Sequence, residues 1–372
     1  MLRISKPIHR AIIVLFSTLY LLLPLCGHGQ AQSVASAGIT TSSPPRSART
    51  LMPSEKRVVF EASQFAEGSV IPYWDKGYLI SIVPESVSPA TPNVRLYDAT
   101  GTRVREVSIW FPGAQTVYIL SAAVTPRGQI LASGTAVKSD GTRAYFIQET
   151  DGSGKRTNAI QTNPFLAEHV CATTEGSVWA FGDVSQEASA DSSQEALLRE
   201  FNFQKGQIDQ LLPRSTFGTT ILSPASRGGA GHEVYFRCLS NKLVIYSGVA
   251  QQFVEFDTTS HSANRFAIEP STAGVKLTGF AATNDGEVYG SLRNSGNPDS
   301  VQGLFHLDLD ATAGLAHWTP VIGASGKQSQ RGVVSRLWGA DGNYLVHNFA
   351  DDPPGRSAAS WSVSTLHAPS SN

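Results

Sequence analysis

The chain has 372 residues, 41% of them hydrophobic and 16% charged, with 29 Lys and Arg against 30 Asp and Glu. That length is too great for one small core and sufficient for one large repeat domain. A near-neutral balance with no basic block excludes the electrostatic footprint of a nucleic-acid or anionic-lipid binder.

The N-terminal residues read as an export leader. Leu2 to Arg10 carries Arg3, Lys6 and Arg10 with no acid, and "AIIVLFSTLYLLLPL" (Ala11–Leu25) has no charge. Small residues follow, with Gly29-Gln30-Ala31 as a cleavage site, so residues 1–31 are predicted to be a signal peptide. The apolar run of about 15 residues is shorter than the roughly 20 that a membrane-spanning helix needs. No membrane span is then expected after cleavage, although retention of this segment as an anchor is the alternative. Cys26 follows Leu25 rather than a small residue, which argues against lipid attachment. Without the leader, 26 basic residues face 30 acidic ones, a net charge near −4. The protein is expected to be exported, either periplasmic or secreted. Residues 32–55, "QSVASAGITTSSPPRSARTLMPSE", are dominated by Ser, Thr, Ala and Pro and predict a flexible tether.

The rest, residues 56–368 ahead of a short tail (369–372), is repetitive. A small residue, a polar turn and an apolar strand recur, as in "AVTPRGQILASG" (Ala123), "ATTEGSVWAFGD" (Ala172) and "AATNDGEVYGSL" (Ala281). Taking Gly77, Gly128, Gly176, Asn241, Gly286 and Gly342 as markers, the steps are 51, 48, 65, 45 and 56 residues. Tight hairpins need a positive φ near their centre, which Gly accepts and Asn tolerates, so Asn241 is expected to fill the role of the glycines. A second strand–turn–strand phrase follows each marker, for example "NVRLYDATGTRV" (Asn93–Val104) and "AYFIQETDGSGK" (Ala144–Lys155). Strand, turn, strand, loop, strand, turn, strand in about 50 residues is one blade of a β-propeller. Six markers predict an all-β, six-bladed propeller of four-stranded antiparallel blades. The last unit lacks a strand, and the first has a spare one near Val58, so the N-terminal strand is predicted to complete the sheet that contains Trp361. That arrangement leaves no open edge in the ring.

The phrases "AAVTPRGQILASG", "CATTEGSVWAFG", "AATNDGEVYGSL" and "LWGADGNYLVHN" resemble six-bladed propellers of the NHL-repeat and gluconolactonase-like kind over roughly residues 57–367. The resemblance is one of architecture. What it implies for chemistry is a ligand site at the channel mouth, near the start of each innermost strand. Stepping back eight residues from each marker gives Ser69, Leu120, Glu168, Glu233, Thr278 and Val334, and stepping back six from the last gives Arg336. Two of these positions are carboxylates with histidine neighbours, Glu168-His169 and His232-Glu233. The candidate ligand-binding set is therefore Glu168, His169, His232, Glu233 and Arg336. Glu168 and Glu233 are the ligands if a divalent cation such as calcium is held. No cofactor is otherwise expected, and no Gly-x-Ser-x-Gly elbow supplies a hydrolase nucleophile.

Cys171 and Cys238 fall on innermost strands of neighbouring units, where they form either two buried thiols or one disulfide. The six tryptophans are expected to pack between blades. Together these features predict an exported, monomeric propeller that binds a protein, glycan or small molecule and carries no catalytic motif. The alternative is a metal-dependent hydrolase or lyase of lactonase type, and a structural envelope protein is a third reading.

Overall fold

The computed structural model describes residues 50–61, 73–184, 195–217, 234–269, 275–283, 285–294, 302–323, 334–341, 344–349 and 358–367. The predicted leader, most of the tether, the tail, and the candidates His232 and Glu233 lie outside them. Among the described residues the chain is all β apart from one 3-10 turn at Arg214–Thr216, and no helix is long and apolar enough to cross a membrane.

The strands follow in chain order. First come β1 (Thr50–Glu61), β2 (Tyr73–Asp75), β3 (Tyr78–Ile82), β4 (Glu85–Ser86), β5 (Val94–Tyr97) and β6 (Arg103–Val107). Then come β7 (Ala114–Val124), β8 (Ile130–Lys138), β9 (Arg143–Thr150), β10 (Arg156–Gln161), β11 (Phe165–Ala172), β12 (Val178–Val184), β13 (Ala196–Asn202) and β14 (Gly206–Pro213). They are followed by β15 (Val234–Cys238), β16 (Lys242–Ser247), β17 (Gln252–Asp257), β18 (Ala263–Ile268), β19 (Val275–Ala282), β20 (Val288–Asn294), β21 (Gln302–Asp310) and β22 (Leu315–Pro320). The last are β23 (Ile322–Gly323), β24 (Val334–Asp341), β25 (Tyr344–Phe349) and β26 (Ala358–His367).

These strands form antiparallel meanders, β2-β3-β5-β6, β7-β8-β9-β10, β11-β12-β13-β14, β15-β16-β17-β18 and β19-β20-β21-β22, with β24-β25-β26 completed by β1. The arrangement is propeller-like, but the expected set of six separate sheets is not what is seen. Among the described residues there are five sheets, of 5, 5, 4, 8 and 4 strands. The eight-stranded sheet arises because the outer strands β18 and β22 meet edge to edge and pair in parallel, Ala267 with Leu315 and Ile268 with Ala316. Unsatisfied edges attract one another, and no period in the sequence records which edges will meet. The five-stranded sheets gain β4 on β7 and β23 on β1 in the same way.

The first strand does close the last meander. β1 pairs antiparallel with β26, with Val58 opposite Trp361 and Thr50 opposite His367. Pairing therefore begins at Thr50, inside the segment read as tether from its composition.

The core lies between consecutive sheets. Ile80 and Leu96 pack with Val117 and Ile119; Leu131 and Ile147 with Phe165 and Val170. Trp179 and Phe181 pack with Phe236 and Ile245; Tyr246 and Phe253 with Phe280 and Leu307. Middle strands are covered on both faces, so β16 reads "KLVIYS" and is buried from Leu243 to Ser247. Outer strands such as β10, "RTNAIQ", meet water on one face and alternate accordingly. Backbones approach closely where the first strands meet. A Cβ on Gly339 would lie 2.5 Å from the Cβ of Trp74, and one on Gly279 would collide with the carbonyl of Leu337.

Candidate functional site

The recurring phrase builds the hairpins that end the inner strands. In the β7–β8 hairpin, Gly128 N–H donates to the Thr125 carbonyl (2.9 Å) and Thr125 N–H donates to the Gln129 carbonyl (2.9 Å). The β11–β12 and β19–β20 hairpins repeat this geometry with Thr173/Gly176 and Thr283/Gly286. Gly128, Gly176 and Gly286 have φ of 73°, 91° and 92°, the left-handed region that closes a three-residue hairpin loop. Each Thr hydroxyl also accepts a backbone N–H four residues on, from Gln129, Ser177 and Glu287, at 3.1, 3.2 and 3.1 Å. Asn241 does not take the role expected of it. The β15–β16 hairpin closes by a bond from Leu239 N–H to the Lys242 carbonyl at 2.7 Å, without a left-handed residue.

These ends converge on a cavity of about 180 Å³. Its lining comes from every meander: Trp74, Asp75 and Lys76 at the end of β2, Pro126 after β7, and Ala172 and Thr174 after β11. Arg237, Cys238 and Leu239 are contributed by β15 and its turn, Ala281 and Ala282 by β19, and Gly339 by β24. The meanders also neighbour one another in sequence, through β3 and β7, β7 and β11, β11 and β15, β15 and β19, β19 and β24, and β24 and β2. A disulfide joins Cys171 to Cys238, with 5.6 Å between the Cα atoms, and so ties β11 to β15 beside the cavity. Of the two options the cysteines offered, the structure holds the bonded one.

Among the described residues three that line the cavity are charged. Asp75 Oδ2 accepts the Val124 N–H at 2.8 Å, which carries the carboxylate across to the neighbouring meander. Lys76 Nζ lies 3.2 Å from Asp75 Oδ1, and its backbone is left-handed, with φ of 46°. Arg237 Nη1 donates to its neighbour's carbonyl, Phe236 O, at 2.8 Å. Three other inner hairpins begin with a neutral Thr, whereas β15–β16 begins with Leu239 and β24–β25 with Asp341. Counting eight residues back from each glycine passes over Asp75.

Three of the counted positions are structurally equivalent, whereas Val334 is paired with Phe349. Leu120, Glu168 and Thr278 each fall where the ladder slips a register, between Ile119 and Ser121, Ala167 and His169, and Leu277 and Gly279. A bulge turns a side chain out of the strict alternation. Opposite the second of these stands Gly182, where a Cβ would lie 2.9 Å from Glu168 N. Glu168 and His169 are half-buried on β11 and do not line the cavity. Arg336 sits on β24 opposite Asn348. β11, which carries Glu168, lies beside β7 and β15, and β24, which carries Arg336, beside β19 and β2. Among the described residues no group of three or more His, Cys, Asp and Glu is arranged to hold a metal ion.

A second charged cluster lies on the third meander. The guanidinium of Arg214, buried at 8% exposure, contacts Asp183 and lies 3.4 Å from Glu195 Oε2. Burial pushes the Glu195 carboxyl above its ordinary range and the charge of Asp183 pushes it further, with Arg214 opposing. Buried charges persist only when paired in this way, and the cluster stands away from the cavity lining.

No family model matches the sequence, and no curated protein does. Among solved structures, one from Bacteroides fragilis described as exported is 9% identical, covering 86% of this chain and 94% of that one with a TM-score of 0.47. A luciferin-regenerating enzyme is 12% identical over 84% and 96% of the two chains, with a TM-score of 0.43. A gluconolactonase from Xanthomonas campestris is 13% identical over 87% and 99%, with a TM-score of 0.41. Likeness at this level carries nothing about activity.

Proposed function

We propose that the chain is an exported six-bladed β-propeller that acts as a binding module and seats its ligand on the ring axis, at the end where the inner hairpins meet. The six-blade reading is supported by the meanders themselves, since the eight-stranded sheet divides at β18 and β22 into two runs of four consecutive strands. Export is supported by the basic, apolar and small segments of residues 1–31 and by the Cys171–Cys238 disulfide, a bond that persists in oxidising compartments. The observation that carries the binding reading is the cavity lined by the inner-strand ends of every meander. A concave site with a few convergent polar groups in a mostly apolar lining is the usual form of a small-molecule site.

Thr174 tests the reading, because it is exposed on its hairpin and lines the cavity. A thermal-shift panel of sugars, sugar acids, amino acids and short carboxylates should contain members that stabilise the wild-type protein and not Thr174→Trp. If stabilisation is equal in both proteins, the ligand seat lies elsewhere. Calcium-dependent hydrolysis of glucono-δ-lactone by the wild type, lost in Glu168→Ala, would replace the binding reading with the catalytic one.

A further inference from the structure

We propose that the outer edge of β10 is a docking site for an extended acidic peptide segment of another protein, which adds to the second meander as a further strand. The axial cavity plays no part in it. The first argument is the backbone. Thr162 N–H donates to the Tyr145 carbonyl at 2.8 Å, so in the antiparallel register of β10 on β9 it is Asn158 and Ile160 that turn their N–H and C=O toward β9. Ala159 and Gln161 turn theirs the other way, both are exposed, and among the described residues no strand pairs with them. Edge groups of this kind are the template that an incoming strand completes.

The second argument is how the other outer edges are treated. β18 and β22 close each other, and β23 covers β1. Among the described residues β6 and β14 stay open, but β6 carries Arg103, Arg105 and Glu106, and β14 carries Asp209. Charges along an edge blunt it against unwanted pairing. β10 has none from Thr157 to Gln161. Beside that stretch runs a groove of about 380 Å³ whose wall is Phe111 and Pro112, from the connection between β6 and β7. Phe111 is anchored by stacking on Phe146, with the ring centroids 5.4 Å apart. A strand laid on β10 sets alternate side chains over this wall.

The third argument, for an acidic occupant, is charge. The chain is described without a break from residue 73 to 184, which takes in β10, its partner β9 and the β6–β7 connection. Within the β9–β10 hairpin Arg143, Lys155 and Arg156 stand against Glu149 and Asp151, three cations to two carboxylates. Arg105 of β6 adds a fourth cation at the hairpin turn, where a Cβ on Gly152 would lie 3.4 Å from its Nη2. Both carboxylates are engaged inside the hairpin. Glu149 Oε2 accepts from the side chains of Asn158 at 2.6 Å and Thr157 at 3.2 Å, and Asp151 Oδ1 accepts the N–H groups of Ser153 and Lys155. Arg156 is exposed, lines the groove, and makes no hydrogen bond or ion pair among the described residues. An acidic side chain on the added strand meets it at the end of the edge.

Fluorescence anisotropy with a labelled peptide, Asp-Val-Thr-Val-Asp-amide, tests the proposal on wild type, Arg156→Gln and Ala159→Pro. The comparison peptides have Asn in place of both Asp residues, or carry a methyl group on every backbone amide nitrogen. Ala159→Pro removes an outward N–H and no bond to β9, a change that edge strands accept. The acidic peptide should bind the wild type and bind at least tenfold more weakly to either variant, and both comparison peptides should bind the wild type at least tenfold more weakly. If Ala159→Pro is unstable, the methylated peptide tests the same backbone bonds on the wild type. Equal binding of the methylated peptide would overturn strand addition, and equal binding of the Asn peptide would overturn the acidic assignment. Failure of the acidic peptide to bind the wild type would overturn the proposal, and binding of cellobiose in its place, weakened by Arg156→Gln, would give the groove to sugars.

Discussion

Three inner hairpins, β7–β8, β11–β12 and β19–β20, and two outer ones share one backbone turn and differ in its first side chain. At the outer turns β5–β6 and β9–β10, Gly101 N–H donates to the Asp98 carbonyl at 3.0 Å and Gly154 N–H to the Asp151 carbonyl at 3.1 Å, as Gly128 does to Thr125 inside. Outside, a carboxylate does the capping: Asp98 Oδ1 accepts from Thr100 and Thr102, and Asp151 Oδ1 from Ser153 and Lys155. Inside, a hydroxyl does it, from Thr125, Thr173 and Thr283 at 6%, 2% and 4% exposure. The two solutions follow from solvation. A partly exposed carboxylate keeps its hydration and accepts two backbone N–H groups, whereas the same charge buried among inner strands loses that hydration with no cation to replace it. The β2–β3 hairpin begins with a carboxylate, Asp75, and places a cation, Lys76, beside it; the β24–β25 hairpin also begins with a carboxylate residue, Asp341.

The largest expected effect on the comparison is at its covalent link. Cys171 and Cys238 stand at the feet of two inner hairpins and close a loop with a sequence separation of 67. Loop-closure entropy for that length is about 4 kcal/mol. The double variant Cys171→Ala/Cys238→Ala should lose most of that in chemical denaturation, with the cavity between β11 and β15 loosened. A loss below about 1 kcal/mol would mean that packing of Trp179 against Phe256 already fixes the two meanders.

Next in size is an exchange of the two caps. Thr173→Asp puts an unpaired carboxylate at an almost fully buried turn and should cost about 3 kcal/mol at neutral pH. Asp151→Thr, the reverse exchange at an outer turn, should cost under about 1 kcal/mol, because a hydroxyl caps the same turn more weakly. Equal losses would show that the turns do not differ in solvation. Glu195 offers a milder test of the same principle, since its carboxyl is buried but paired. Its folded pKa is raised, so the stability tied to its protonated form is present below the unfolded value and is lost as pH rises through the folded one. Glu195→Gln should therefore be stabilised relative to wild type at pH 8, with the difference vanishing below pH 4. Destabilisation of Glu195→Gln at pH 8 instead would mean that the contact with Arg214 dominates.

Much of this architecture was legible in the chain because it is local. Gly128, Gly176 and Gly286 mark turns that only a left-handed residue closes, and the strand surplus at Val58 matched the deficit beside Trp361. What was not legible depends on neighbours distant in sequence. The pairing of Ala267 with Leu315 needs two edges to meet, and the turn at Asn241 closes without the conformation that its marker position suggested. The site divides in the same way. Counting back from the glycines found equivalent bulged positions at Leu120, Glu168 and Thr278 because these three strands slip a register at the same distance from their turn glycines. It did not find Asp75, Lys76 and Arg237, which line one cavity because several inner strands end beside it.

The smallest expected effect isolates the charge of an outer cap from its geometry. Asp151 has its carboxyl held below the ordinary range, chiefly by the hydrogen bond from the Ser153 side chain at 2.7 Å and then by backbone donors. A lowered folded pKa stabilises the protein above the unfolded value, and that contribution is lost as pH falls through the folded one. Asp151→Asn keeps an acceptor oxygen for Ser153 and Lys155 but has no charge to lose. Its melting temperature should lie slightly below wild type at pH 7 and converge with it below pH 3, whereas Thr173→Ser, an inner cap that never ionises, should keep a constant difference across the same range. If the Asp151→Asn curve ran parallel to wild type down to pH 2, the outer turns would be capped by geometry alone, and the carboxylate would be there for a reason other than its charge.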